Sequence, residues 1–280
     1  MIQEAIRNLT DLALAEDIGD GDHSSLACIP AGANGRSRLL VKETGILAGI
    51  DIASYVFNRV DKGIKLSACM ADGSYAKPGD IAFLAEGPVR GLLRSERLVL
   101  NIIQRMSGIA TTTRKYVDAI SGHKAKILDT RKTTPGFRAF EKEAVRIGGG
   151  LNHRMGLYDM IMLKDNHIDY AGGIKNAIIK TNEYLGSTKK ELAIVIEARS
   201  LDELEQILEQ GMVNRIMLDN FTIPDTRRAI ELIDGKYEVE SSGGITLETV
   251  QAYAACGVDY ISVGALTHHV RSLDISLKAI

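Results

Sequence analysis

The chain has 280 residues and a formal net charge of −2, with 45% hydrophobic and 25% charged residues. That is globular composition, with room for one large domain or two modest ones. The balanced charge excludes a broad basic nucleic-acid face, and 5% aromatic residues without a Trp exclude a stacking platform for single strands. No apolar run reaches the roughly 20 residues that span a bilayer. The start, MIQEAIRNLTDLALAED, carries acids and helical periodicity, so it does not read as a signal peptide. Cys28, Cys69 and Cys256 lack CxxC spacing and read as reduced thiols, which makes the cytoplasm the expected location.

Ile2, Ala5, Ile6, Leu9, Leu12 and Ala13 recur at helical spacing and predict a helix over 2–15. The acidic, glycine-rich run Glu16 to His23 lacks the spacing and terminal Glu of a calcium loop, so a turn is expected. Strands are predicted at 38–41 and 45–49, and a helix at 51–60. Further strands are predicted at 64–70, 81–85 and 89–93, separated by Ala71-Asp72-Gly73, Lys77-Pro78-Gly79-Asp80 and Glu86-Gly87-Pro88. Ser95 reads as the cap of a helix, followed by a second helical stretch at 109–120. An α+β domain over 1–108 and a second domain over 109–280 are therefore expected.

After Ala125, short apolar strands alternate with helices. Strands are predicted at 126–129, 160–164, 193–197, 215–219, 237–241 and 260–264, and helices at 139–147, 172–185, 200–210, 223–233 and 246–256. Such alternation implies a parallel sheet with right-handed crossovers. Every strand finishes in a polar or glycine cluster, from Asp129-Thr130-Arg131-Lys132 to Gly264-Ala265. A doubly wound sheet uses one or two strand ends for ligands; using all six favours a (β/α) barrel.

The stretch from Leu128 to His167 concentrates cations: Arg131, Lys132, Arg138, Arg146, His153, Arg154 and Lys164. In a chain of net charge −2 this excess is local, and it suggests a pocket for a small, multiply anionic ligand. Ser242-Gly243-Gly244 before a predicted helix, with Gly264-Ala265 on the next strand, reads as a phosphate cradle. Glu197 and Asp219 end adjacent strands, where they hold Mg²⁺ through water or stabilise a developing cation, unless one of them merely pairs with Lys164 or a helix end. His153 reads either as structural or as part of the pocket, and Asp165-Asn166 either as caps or as ligands. His167, His268 and His269 lack zinc-ligand spacing.

Together EDIGDGD, SERLVLNIIQRMSGIAT, DTRKTTPGFR, GGGLNHRMGLYD, KDNH, ESSGGI and SVGALTH resemble the quinolinate phosphoribosyltransferase family, the carboxylating nicotinate-nucleotide pyrophosphorylases, along essentially the whole chain. The resemblance implies an N-terminal α+β sandwich followed by an incomplete (β/α), TIM-like barrel. It implies joining of quinolinate to phosphoribosyl pyrophosphate with loss of the 2-carboxylate, on the de novo route to NAD. By the same resemblance, Arg97, Thr130, Arg131, Lys132, His153, Arg154 and Lys164 bind substrate. Lys132, Glu197 and Asp219 carry catalysis, and Glu197 and Asp219 serve Mg²⁺. Ser242, Gly243, Gly244, Gly264 and Ala265 bind phosphate. No organic cofactor, nucleic acid or membrane is expected. A homodimer with shared sites is, to which Arg97 comes from the neighbouring subunit, and a higher homo-oligomer is compatible. Ala198-Arg199 and His269 depart from the family pattern. The alternative is a paralogue acting on another ring acid, which would not need so many cations.

Overall fold

The computed structural model describes residues 2–280, with side chains from Glu4 onward, so the apolar position expected at Ile2 lies outside the described side chains. The first helix, α1 (Ile2–Ile18), outruns its expected end. A short helix that was not expected, α2 (His23–Cys28), follows. It explains the acidic run: the Asp22 carboxylate accepts the Ser25 N–H at 3.1 Å and caps it. Then come β1 (Asn34–Val41), β2 (Gly45–Ile46), α3 (Ile50–Val60), β3 (Lys65–Ala68), β4 (Tyr75–Ala76) and β5 (Ile81–Pro88). Phe57 of α3 packs edge-on against Phe83 of β5, with ring centroids 6.0 Å apart.

The strand expected at 89–93 does not form. Val89 begins α4 (Val89–Ala119), a single 31-residue helix that absorbs both expected helices. Ser95 is no cap; it is buried inside the helix, where its hydroxyl donates to the Gly91 carbonyl at 2.7 Å. Glu86-Gly87-Pro88 does not turn either. It stays paired with β1, from Arg36↔Glu86 to Asn34↔Pro88. Gly87 is required there because a Cβ would stand 2.8 Å from both the Gly63 carbonyl oxygen and the Ile64 Cα.

The chain continues through β6 (Lys126–Leu128), α5 (Arg138–Ile147), β7 (Ile161–Leu163), α6 (Asp165–Ala171), α7 (Ile174–Thr188), β8 (Ile194–Ala198) and α8 (Leu201–Gln210). It ends with β9 (Arg215–Asp219), α9 (Ile223–Ile233), β10 (Glu238–Ser242), α10 (Val250–Ala254), β11 (Tyr260–Ser262), α11 (Ala265–His268) and β12 (Ile275–Ala279). All six strands expected after Ala125 form, within a residue or two. They join one sheet in the order β6-β11-β10-β9-β8-β7, every pair parallel, with β6 and β7 as its edges. This is a partial α/β barrel. The strands are buried on both faces: all five residues of β8 are buried.

Two compact units result, and neither is continuous in sequence. The first comprises Met1–Arg114, Thr133–Gly149 and Leu266–Ile280; the second comprises Lys115–Lys132 and Gly150–Ala265. The boundary expected near Gly108 falls inside α4. Within the first unit, β12 adds to an antiparallel sheet in the order β12-β1-β5-β3, and β2 pairs with β4.

Candidate active site

At the end of β6 the chain reaches Asp129, which is fully buried and accepts the His153 backbone N–H on Oδ1 at 2.8 Å. Leu151 bridges Leu128 and donates its N–H to the Ile127 carbonyl at 2.8 Å. These bonds seat the loop from Gly150 to Arg154 beside the end of β6. Thr130 Oγ1 then accepts the Lys132 N–H at 3.0 Å, a local turn that leaves Arg131 and Lys132 exposed.

A cavity of about 140 Å³ opens here. It is lined by Thr130, Arg131, Lys132, His153, Arg154, Lys164 and Ser242, seven positions singled out from sequence, together with Met162, Met217, Glu240 and Ser262. Cavities of about 150 Å³ hold a single benzene ring, so this one suits one substituted ring. Met162 and Met217 pack with Val195 and Met160 into an apolar cluster, giving the cavity an apolar side. Arg97 is not among the lining residues; it stands exposed on α4, in the first unit.

Arg154 is 7% exposed, and Nη1 donates to the Met160 carbonyl at 3.1 Å. Burial and the neighbouring Arg131 charge pull its guanidinium below the ordinary range, and Asp159 and Glu197 offset part of this. A buried guanidinium beside a second one favours an anion between them.

Lys164 Nζ bonds Glu197 Oε1, and Glu197 Oε2 accepts the Asp165 N–H at 3.4 Å. The pairing reading of Glu197 is thus the one seen in the chain alone. Asp219 is half-buried and accepts from Asn220 Nδ2 at 2.8 Å. Asp165 and His167 act as local caps: Asp165 Oδ1 accepts the Asn166 N–H at 2.7 Å, and His167 Nδ1 accepts the Lys164 N–H at 3.1 Å. Arg199, a departure from the family pattern, is tied to Asp169 at 3.0 Å and to Glu203 at 2.8 Å.

At the loop expected to cradle phosphate, one expectation changes. The helix predicted to follow Gly244 does not start there. Thr246 and Thr249 form a turn, with the Thr246 N–H donating to Thr249 Oγ1 at 3.0 Å, and the five-residue α10 begins only at Val250. No helix starts directly after Gly243 and Gly244, whereas α11 begins directly after Gly264. Gly243 and Gly244 hold φ of +93° and +59°, conformations that L side chains resist.

Glu240 and Ser262 escaped the sequence reading, which attended to strand ends. The signal was available: an acid in the middle of a strand buried on both faces is itself anomalous. Glu240 is fully buried. Its Oε2 takes Arg215 Nη1 at 3.0 Å and faces His153 Nε2 at 3.3 Å.

A partial barrel with cations, carboxylates and glycine loops at the C-terminal ends of its strands defines an α/β-barrel enzyme acting on small anions. Comparison with known proteins narrows the class. A sequence model of the quinolinate phosphoribosyl transferase N-terminal domain matches residues 22–107, and its C-terminal counterpart matches 109–278. The chain is 45% identical over 288 residues to a chloroplastic nicotinate-nucleotide pyrophosphorylase [carboxylating] of Oryza sativa subsp. japonica, covering 98% of this chain and 77% of the relative. It is 41% identical to the enzyme of that name from Mycobacterium leprae, covering 98% and 97%. The solved nicotinate-nucleotide pyrophosphorylase from Francisella tularensis superimposes with a TM-score of 0.92 at 39% identity, covering 99% of this chain and 96% of that one. The chain belongs to the quinolinate phosphoribosyltransferase family.

Proposed function

We propose that the pocket at the C-terminal edge of the six-stranded sheet is where this chain, a pentosyltransferase, carries out its family's reaction. That reaction transfers phosphoribose from phosphoribosyl pyrophosphate to quinolinate with decarboxylation, giving nicotinate mononucleotide, pyrophosphate and CO₂ for NAD synthesis. The observation that carries the site assignment is the buried Arg154 beside Arg131, in a cavity the size of one ring.

Quinolinate brings two carboxylates on one edge of a flat ring. Arg131 and Arg154 are the planar donors for them, and Lys132 and Lys164 add charge at the rim. His153 shapes the wall. Held in place, the ring nitrogen attacks the ribose carbon that bears pyrophosphate. An oxocarbenium-like state develops there, and Glu197 and Asp219 stabilise its positive charge. Ser242, Gly243, Gly244, Gly264 and Ala265 present backbone N–H groups to the phosphate. The new pyridinium then weakens the bond to the 2-carboxylate. When CO₂ leaves, the electron pair stays on the ring carbon beside the cationic nitrogen, and a proton replaces the carboxylate. No organic cofactor is needed.

Among the described residues no three His, Cys, Asp or Glu converge on a metal site. Two carboxylates at adjacent strand ends still suit Mg²⁺, which keeps several waters and uses few protein ligands beside substrate phosphates. Glu197 and Asp219 would hold it beside the pyrophosphate, where it would supply positive charge against the leaving group. The proposed working unit is a homodimer, in which the exposed Arg97 of one chain completes the site of the other. The proposed location is the cytoplasm, a compartment suited to the three free cysteines. No helix among the described residues is long and apolar enough to cross a membrane.

The test is an assay of purified protein with quinolinate, phosphoribosyl pyrophosphate and Mg²⁺, following nicotinate mononucleotide. Product from quinolinate supports the reading. Product from nicotinate alone would assign the chain to a paralogue handling a monocarboxylate.

A further inference from the structure

His153 has two ring nitrogens, and both face groups of the protein. Nδ1 accepts the Arg154 backbone N–H at 2.7 Å. A nitrogen that accepts carries no proton, so the ring proton sits on Nε2. Nε2 in turn faces Glu240 Oε2 at 3.3 Å. The His153 side chain is 4% exposed and that of Glu240 is 0% exposed, so water does not compete for either position. The ring edge that remains is carbon.

Glu240 is itself held from the far side. The same Oε2 takes Arg215 Nη1 at 3.0 Å, and Arg215 also reaches Glu238 at 2.9 Å. The Arg215 guanidinium lies 3.8 Å over the Tyr260 ring. Strand register accounts for the alignment, because Glu240 pairs with Tyr260 on one side and Met217 on the other, while Arg215 pairs with Glu238. A line of polar contacts therefore runs from the half-buried Arg215 through the buried Glu240 and the neutral His153 to the backbone of Arg154. Without Arg215, a buried carboxylate lining a pocket for anions would repel the ligand.

We propose that Glu240 is a positioning residue for the reaction. By fixing the proton of His153 on Nε2, it leaves Nδ1 as an acceptor and so sets the backbone of Arg154, whose guanidinium meets the substrate carboxylate. This rests on the quinolinate reading of the pocket. On it, His153 acts through its neighbour rather than by donating to the substrate. Loss of the acceptor at 240 frees the proton to move to Nδ1, where it opposes the Arg154 N–H and releases the loop.

The decisive measurement is the ¹⁵N NMR spectrum of protein labelled at histidine, with His153 assigned by its absence in His153→Gln. In the wild type, Nε2 is expected protonated and Nδ1 bare; a bare Nε2 overturns the proposal without any activity assay. Glu240→Gln keeps an acceptor oxygen and is expected to keep that tautomer, with quinolinate KM within about threefold of wild type, a change smaller than the loss of one hydrogen bond to a charged group. Glu240→Met removes the acceptor. It is expected to mix the tautomers and raise quinolinate KM about tenfold or more, the cost of such a bond, with the KM for phosphoribosyl pyrophosphate little changed. An unchanged tautomer in Glu240→Met, equal damage from Gln and Met, or an equal rise in both KM values overturns it. If the Met variant does not fold, the wild-type and Gln spectra still decide. Failure of the wild type to use quinolinate would instead remove the functional reading and leave the tautomer result standing.

Discussion

Gly243 and Asn220 compete for one space: a Cβ on Gly243 would stand 2.2 Å from Asn220 Oδ1 and 2.8 Å from its backbone nitrogen. The same Asn220 donates its N–H to the Ser242 carbonyl at 2.9 Å and its side-chain amide to Asp219. It adopts a left-handed φ of +56° to do so. The end of β9 and the loop after β10 are therefore locked together. Gly243→Ala must break this lock as well as strain its own backbone, at a cost of about 1–3 kcal/mol. The expected result is a lower melting temperature and a KM for phosphoribosyl pyrophosphate that rises more than that for quinolinate. The reverse order would move the phosphate site elsewhere.

Arg131→Ala and Arg154→Ala each leave a substrate carboxylate unpaired. Quinolinate affinity is expected to fall by about 2–5 kcal/mol in each, as for truncating one partner of a charged pair. Arg154→Ala, the buried member, should sit at the upper end. Isothermal titration with quinolinate checks this; affinities within a factor of about two of wild type would place the ring in another pocket, since a charged contact is worth more.

Arg97 and Lys132 test assembly. Arg97→Ala and Lys132→Ala chains, each nearly inactive alone, are expected to recover activity when mixed. With free exchange, half the dimers are mixed and each retains one intact site, so about a quarter of wild-type activity is the ceiling. Differently tagged chains establish exchange. No recovery after proven exchange would confine Arg97 to its own chain or to no role.

Glu240 gives the stability profile a sign. Burial raises its carboxyl, but the hydrogen bonds from His153 and the Ser262 hydroxyl and the Arg215 charge more than offset this, so it lies below its ordinary value of 4.5. A carboxylate depressed in the folded state adds stability above its unfolded value and loses it as pH falls through the folded one. The gap in urea midpoint between wild type and Glu240→Gln should be full near neutral pH and shrink below about 4.5. A gap that stays constant down to pH 3 would show that the charge contributes nothing.

The barrel strands and most of the cavity could be read in advance because parallel strands buried on both faces are short apolar runs with abrupt polar ends, and both signals are local. What escaped was non-local. Glu86-Gly87-Pro88 carries every mark of a turn, yet pairing with β1 holds it extended. Val89 to Leu93 is apolar enough for either state, and only the length of α4 resolves it. Glu240 lies within a strand, where position along the chain says nothing about which charges meet it from β9 or from the His153 loop. Its partners are set by register, which the sequence alone does not print.

The pairing of Val41 with Ile275 also orders events in time. Strand β1 emerges from the ribosome well before its neighbour β12, because Ile275 lies 234 residues (275 − 41) after Val41. At about 5–20 residues per second the edge of β1 waits roughly 10–50 seconds. During that interval β7, β8, β9 and β10, which follow one another along the chain, can pair, while β6 still waits for β11 and the unpaired edge of β1 stays open to other chains. Nascent molecules should therefore be most prone to misassembly before β12 emerges, and removing β12 should cost yield before it costs chemistry.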